Sequence, residues 1–248
     1  MENLMPYGKY KQRSHETSLE RHLVELENNP AQPSIVLLGD SMIERMITTG
    51  LSPSFDPWPS TTMMSDETMA QKQPQASSAK LARLQGVFNA GVGGDKLENV
   101  IYRLTGSSDP SRPLGGLLDA LRNRNVKLWV LPVGTKNLHP KRGLRDSDIA
   151  LLRLIVEALL GIGGKILLVG LFRRKDISDE LVVKANENYL ELVRQFQEEK
   201  SDRIEFLEPP LVDMDECLAD HVHLNEKGYQ IWSKVLFVLV QVLVIPFN

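Results

Sequence analysis

Apolar runs rich in Val, Ile and Leu alternate along this chain with stretches of helical periodicity, the pattern that a repeated strand–helix–strand unit requires. Five runs predict strands: Ser34 to Leu38, Gly86 to Asn89, Leu128 to Val133, Lys165 to Leu171 and Arg203 to Leu207. The third and fourth are apolar at consecutive positions, so they are expected to be buried on both faces, as strands of a parallel sheet are. Helices are expected at 16–28, 42–48, 95–104, 113–123, 146–160 and 178–199, with a last one after Asn225. The predicted fold is α/β, a three-layer α/β/α sandwich around a five-stranded parallel sheet. A chain of 248 residues, 42% of them hydrophobic, is enough for one sizeable core, so a single domain over 1–248 is expected, entered through an arm at 1–20.

One stretch breaks the alternation. Residues 50–85 hold Asp56-Pro57-Trp58-Pro59-Ser60, the pair Met63-Met64 and a Gln/Ala/Ser-rich tail. They read as an insertion, either a lid with Phe55, Trp58, Met63 and Met64 as apolar contacts or a surface loop.

Open parallel sheets bind ligands at the carboxyl ends of their strands. Ser41, Gly94 and Lys136-Asn137 all follow predicted strands, and Asp220-His221-Val222-His223 follows the last. A serine where a strand turns into a helix is exposed and sits at the positive end of the helix dipole, and a nearby imidazole can take its proton. Asp220 and His223, three residues apart, supply that base and a carboxylate to orient it, in the chain order Ser, Asp, His. Asn225 is placed to cap the last helix behind them. The Gly-x-Ser-x-Gly elbow is absent, since Ile43 stands where its last glycine belongs. The glycines of Asn89-Ala-Gly91-Val-Gly93-Gly94-Asp95 let backbone N–H groups approach a developing negative charge. The same block fails as a dinucleotide loop, because Lys96 occupies the final glycine position of G-x-G-x-x-G.

Other classes of function find little support. A formal net charge of −3 and a pI near 6.0 argue against a nucleic-acid partner. The short basic clusters Lys141-Arg142 and Arg173-Arg174-Lys175 read as solvated loop charges. Cys217, His221 and His223 match no zinc spacing, so no metal is expected. Cys217 is the single cysteine, and Met1 to Pro6 lacks the apolar core of a signal peptide, which together predict a cytoplasmic protein. The apolar run Val235 to Ile245 spans 11 residues, too few for a membrane crossing that needs roughly 20, and reads as part of a buried closing helix.

Taken in this order, Gly39-Asp40-Ser41, Asn89 to Asp95, Gly134-Thr135-Lys136-Asn137 and Asp220-x-x-His223 resemble the blocks of the SGNH (GDSL-type) hydrolase superfamily. The branch most similar holds the catalytic subunits of intracellular platelet-activating-factor acetylhydrolase, and the resemblance runs from about Ser34 to Tyr229. It implies a flavodoxin-like fold, a cofactor-free acyl-serine mechanism on a small-molecule ester, and a homodimer. Ser41 would be the nucleophile, His223 the base and Asp220 its orienter. The oxyanion hole would be the N–H groups of Ser41 and Gly94 with a side chain from the third block. There the chain departs from the pattern: the family has Gly-x-Asn, and here Lys136 holds the Asn position while Asn137 follows one place later. The expected activity is hydrolysis of small or medium carboxylic esters, acetyl esters among them. A weakened enzyme kept for binding and an acyltransferase using the same acyl-enzyme are the alternatives.

Overall fold

A computed structural model of the chain describes residues 3–29, 31–71, 82–199 and 202–244. Five parallel strands, β1 (Ile35–Gly39), β2 (Val87–Gly91), β3 (Leu128–Pro132), β4 (Lys165–Val169) and β5 (Ile204–Leu207), lie in the order β2-β1-β3-β4-β5. This is the flavodoxin-like order, whose direction of winding reverses between β1 and β3 and opens a crevice at their carboxyl ends.

Successive strand residues point to opposite faces, and both faces are buried. Val36, Leu38, Phe88, Trp129, Leu131, Ile166 and Leu168 pack under α5 (Leu97–Thr105), α6 (Leu117–Leu121), α7 (Asp146–Ile162) and α8 (Asp179–Glu198). Ile35, Leu37, Val87, Leu128, Val130, Leu167 and Val169 pack under α3 (Ser41–Thr48) and α10 (Glu226–Val244), and the short helices α4 (Asp66–Gln71) and α9 (Met214–Cys217) add Met69 and Met214 to this side. The closing helix is anchored by Tyr229, Trp232, Leu236, Phe237 and Val240, all fully buried. Ile245, at the end of the run assigned to that helix, lies outside the described residues. Among the described residues no helix is long and apolar enough to cross a membrane.

The described part of the insertion packs onto the body of the protein. Phe55 N–H donates to Val87 O (2.9 Å), Asn89 N–H donates to Ser54 Oγ (3.1 Å), and Trp58 pairs with Leu84. The segment therefore runs along the free edge of β2, which would otherwise expose unpaired backbone groups. Trp58, Met63 and Met64 are buried at 3% exposure or less in the core under α10, and Phe55 stacks on Phe88. The Gln/Ala/Ser-rich tail lies mostly in 72–81, outside the described residues.

The N-terminal arm forms α1 (Gln12–Thr17), one wide turn at Ser18–His22 and α2 (Leu23–Asn28). It crosses the carboxyl end of β2, where Arg21 Nη2 donates to Gly91 O at 2.8 Å.

Candidate active site

β1 ends on Gly39, whose register partner is Gly91 at the end of β2, so the loops after the two strands leave the sheet side by side. Asp40, rather than Ser41, caps α3: its Oδ1 accepts the Met42 N–H at 2.9 Å, and Ser41 becomes the first helical residue. The first N–H groups of a helix have no intrahelical acceptor, and Ser41 N–H makes no hydrogen bond among the described residues. Helix α3 is held from two sides. Asn89 Nδ2 donates to Ile43 O (2.8 Å), and the Tyr229 hydroxyl donates to Met42 O (2.8 Å). A side chain at Gly91 would run into the backbone of Glu44, so only glycine lets α3 lie this close to β2.

The loop ahead of α10 delivers the imidazole. Asp220 Oδ1 accepts the N–H groups of Val222 and His223, both at 2.8 Å, closing a turn that swings the His223 ring toward α3. His223 Nε2 lies 2.9 Å from Ser41 Oγ and Nδ1 lies 2.7 Å from Asp220 Oδ2, so residues 182 positions apart form one hydrogen-bonded chain. Asn225 Oδ1 accepts the Gly228 N–H at 3.0 Å and caps α10 directly behind. Burial pushes the Asp220 carboxyl up, but hydrogen bonds from the His223 ring and from two backbone N–H groups outweigh it and hold the group well below the usual carboxylate range. Burial lowers the His223 pKa; the Asp220 hydrogen bond opposes this, and the charges of Arg45 and Lys136 add to the lowering.

Arg45 is one helical turn beyond Ser41 and so shares its face, with Nη2 3.7 Å from Asp220 Oδ2. Asp40 is fully buried, and the lost hydration raises its pKa to about 6. The Thr135 hydroxyl and N–H approach the carboxylate of Asp40, yet Oδ2 has no partner at full hydrogen-bonding geometry.

The second block forms a turn over Val92–Asp95, with Gly94 at φ +75. Its N–H makes no hydrogen bond among the described residues. Asp95 anchors the turn from below, bonded to Arg103 Nε (2.7 Å) and Ser14 Oγ (2.6 Å), and Arg103 reaches on to Ala90 O and Gly39 O. This buried ion pair ties the ends of β1 and β2 together.

Lys136 and Asn137 part company. The chain after β3 does not stay extended: Gly134 adopts φ +97, and a turn closes with Asn137 N–H donating to Gly134 O at 2.9 Å. The Asn137 amide is thereby aimed back under the sheet. It accepts Leu97 N–H (3.0 Å) and donates to Asp148 Oδ1 (2.9 Å) and Glu98 Oε2 (3.2 Å). Asn137 therefore does not join Ser41 and His223. The charge of Lys136 reaches His223 and adds to the lowering of its pKa, and Lys136 has no hydrogen-bond or ion-pair partner among the described residues.

Arg174 is not a solvated loop charge: it is 7% exposed, bonds Asp176 through two nitrogens and donates to Thr135 O at 2.7 Å. Lys175 N–H donates to His221 O at 2.9 Å. The basic cluster braces both the Thr135–Lys136 turn and the 220–223 loop, because carbonyls in these tight turns lack strand partners and accept from it instead. Arg103, Arg45 and Arg174 carry no motif. Only Arg45 had a signal, its i+4 spacing from Ser41.

No family model matches the sequence, and no curated protein matches it. Solved structures do. An acylhydrolase candidate from Bacteroides fragilis aligns over 95% of this chain and 100% of its own, with TM-score 0.62 and 12% identity. A GDSL-like lipase from Bacteroides thetaiotaomicron covers 90% and 96%, with TM-score 0.56 and 14% identity. A carbohydrate esterase of family 3 from Talaromyces cellulolyticus covers 86% and 99%, with TM-score 0.54 and 16% identity. The chain has the fold of GDSL-type esterases. At these identities the likeness is one of architecture.

Proposed function

We propose that the protein is a serine esterase acting on small or medium carboxylic esters, acetyl esters among them, through an acyl-serine intermediate. The observation that carries this reading is the hydrogen-bonded chain from Ser41 Oγ through His223 to Asp220, at 2.9 and 2.7 Å. With Asp220 accepting the Nδ1 proton, Nε2 carries the free lone pair and takes the Ser41 proton as Oγ attacks the ester carbonyl. His223 then hands that proton to the departing alcohol, and water repeats the sequence to release the acid. The tetrahedral oxyanion is held by the N–H groups of Ser41 and Gly94 and by the Lys136 ammonium, which takes the place of the family's asparagine amide. The lowered pKa of His223 extends toward lower pH the range in which the imidazole is neutral and so able to act as a base. Esterase names among the structural neighbours support the class of reaction.

The test is turnover of short-chain p-nitrophenyl esters by the wild type and Ser41→Ala. Turnover that vanishes in the variant is expected; equal rates would sink the proposal. A second reading, a weakened enzyme that holds an anionic ligand, is favoured by one observation, a Lys136 ammonium that has no hydrogen-bond or ion-pair partner among the described residues and whose charge reaches His223. Lys136→Asn separates the two, since a large gain in rate supports the weakened enzyme.

A further inference from the structure

The Gly94 N–H proposed above as an oxyanion donor belongs to the same peptide group as the Gly93 carbonyl. That peptide is trans, so its N–H and C=O point in opposite directions, and whatever holds the carbonyl aims the donor. The carbonyl is held by Lys11 of the N-terminal arm, whose Nζ lies 2.7 Å from Gly93 O and 3.2 Å from Asp95 Oδ1.

The peptide needs holding. Asp95 N–H donates to Val92 O at 3.3 Å, which makes 92–95 a four-residue turn with glycine at both central positions. Gly94 at φ +75 matches the third position of a type II turn. Types I and II differ by a flip of the central peptide, here Gly93–Gly94, and glycine pays no steric penalty in either form. In the flipped form the carbonyl replaces the N–H at the oxyanion position and repels the developing charge. A cation on the Gly93 carbonyl selects the unflipped form. It also polarises the peptide, which strengthens the N–H as a donor.

Lys11 is itself well anchored. Lys9 N–H donates to Glu98 O (2.9 Å), Asn99 Nδ2 donates to Lys9 O (2.9 Å), and Ser14 Oγ donates to Asp95 Oδ1 (2.6 Å). The Lys11 side chain is 30% exposed, so its ammonium is partly shielded from water.

We infer that Lys11 is a positioning residue for the oxyanion hole, acting through the Gly93–Gly94 peptide; the inference rests on the esterase reading. Lys11→Met removes the cation but leaves Asp95 its bonds to Arg103 and Ser14. Expected is a fall in kcat of about 10- to 100-fold, below the ~10²–10³ lost with a donor outright, with KM nearly unchanged and an equal fall in the rate of Ser41 labelling by a phosphonate. Lys11→Arg restores most of the rate. Lys11→Gln, which donates without charge, lies between and serves as the readout should Lys11→Met not fold. Lys9→Met, which removes a neighbouring arm cation bound to Glu98, leaves kcat at the wild-type value. Wild-type kcat in Lys11→Met or Lys11→Gln, with turnover still dependent on Ser41, overturns the role of Lys11 alone. So does an equal loss in Lys9→Met, which would mark a general effect of arm packing. Undiminished turnover in Ser41→Ala would instead overturn the esterase reading, and the role of Lys11 with it.

Discussion

Replacing Asn137 with alanine separates a structural role from a catalytic one. The amide makes three hydrogen bonds at 8% exposure: it accepts Leu97 N–H at the start of α5 and donates to Asp148 and Glu98. Alanine leaves the Leu97 N–H buried without an acceptor, which costs about 1–3 kcal/mol. The two carboxylates lose less, because Asp148 keeps Arg145 through Nε, Nη2 and the backbone N–H, and Glu98 keeps Lys9. A total of about 3 kcal/mol follows, and at 2–4 °C per kcal/mol for a chain of this size Tm falls by roughly 6–12 °C. Calorimetry measures that shift. Turnover of a short-chain ester well below both transitions should stay within about threefold of wild type, against the ~10²–10³ loss expected for an oxyanion donor. A hundredfold loss in kcat with an unmoved Tm would refute the assignment and return Asn137 to the oxyanion hole.

Two further perturbations test the electrostatics. A general base must be neutral to accept a proton, so kcat/KM rises with pH through the His223 pKa. Burial first, and then Arg45 and Lys136, lower that pKa against the pull of Asp220. Arg45→Met removes a lowering charge and frees Asp220 to act on the imidazole alone, so the acid limb should move to higher pH; an unmoved or lowered limb would count against the geometry. Asp40 has a folded pKa of about 6, above its ordinary 3.8, so the native state binds its proton more tightly than the unfolded chain does. Its favourable contribution is complete below about pH 3.8 and is lost as pH rises through about 6. Measured by urea unfolding, wild-type stability relative to Asp40→Asn should fall by up to roughly 3 kcal/mol between pH 4 and 7.5. A constant difference would mean that the carboxylate is better compensated than its orphaned Oδ2 implies.

The five strands were legible in the sequence to within two residues at each end, because burial on both faces of a parallel sheet writes itself as a local apolar run. The meeting of Ser41, His223 and Asp220 was legible too, as a serine directly after a strand and an Asp-x-x-His turn directly before a helix. The departure at Lys136 could be seen, but not its consequence. That Asn137 turns away from Ser41 and His223 depends on the turn that Gly134 begins and on the hydrogen-bond partners that α5 and α7 present to its amide. The same limit hid Arg103 on Gly39, Arg174 under Thr135 and Lys11 on Gly93. Periodicity records which side of an element is dry. Hydrogen-bond partners 39 to 82 residues apart are chosen only when the order β2-β1-β3-β4-β5, which does not follow chain order, sets the loops beside one another.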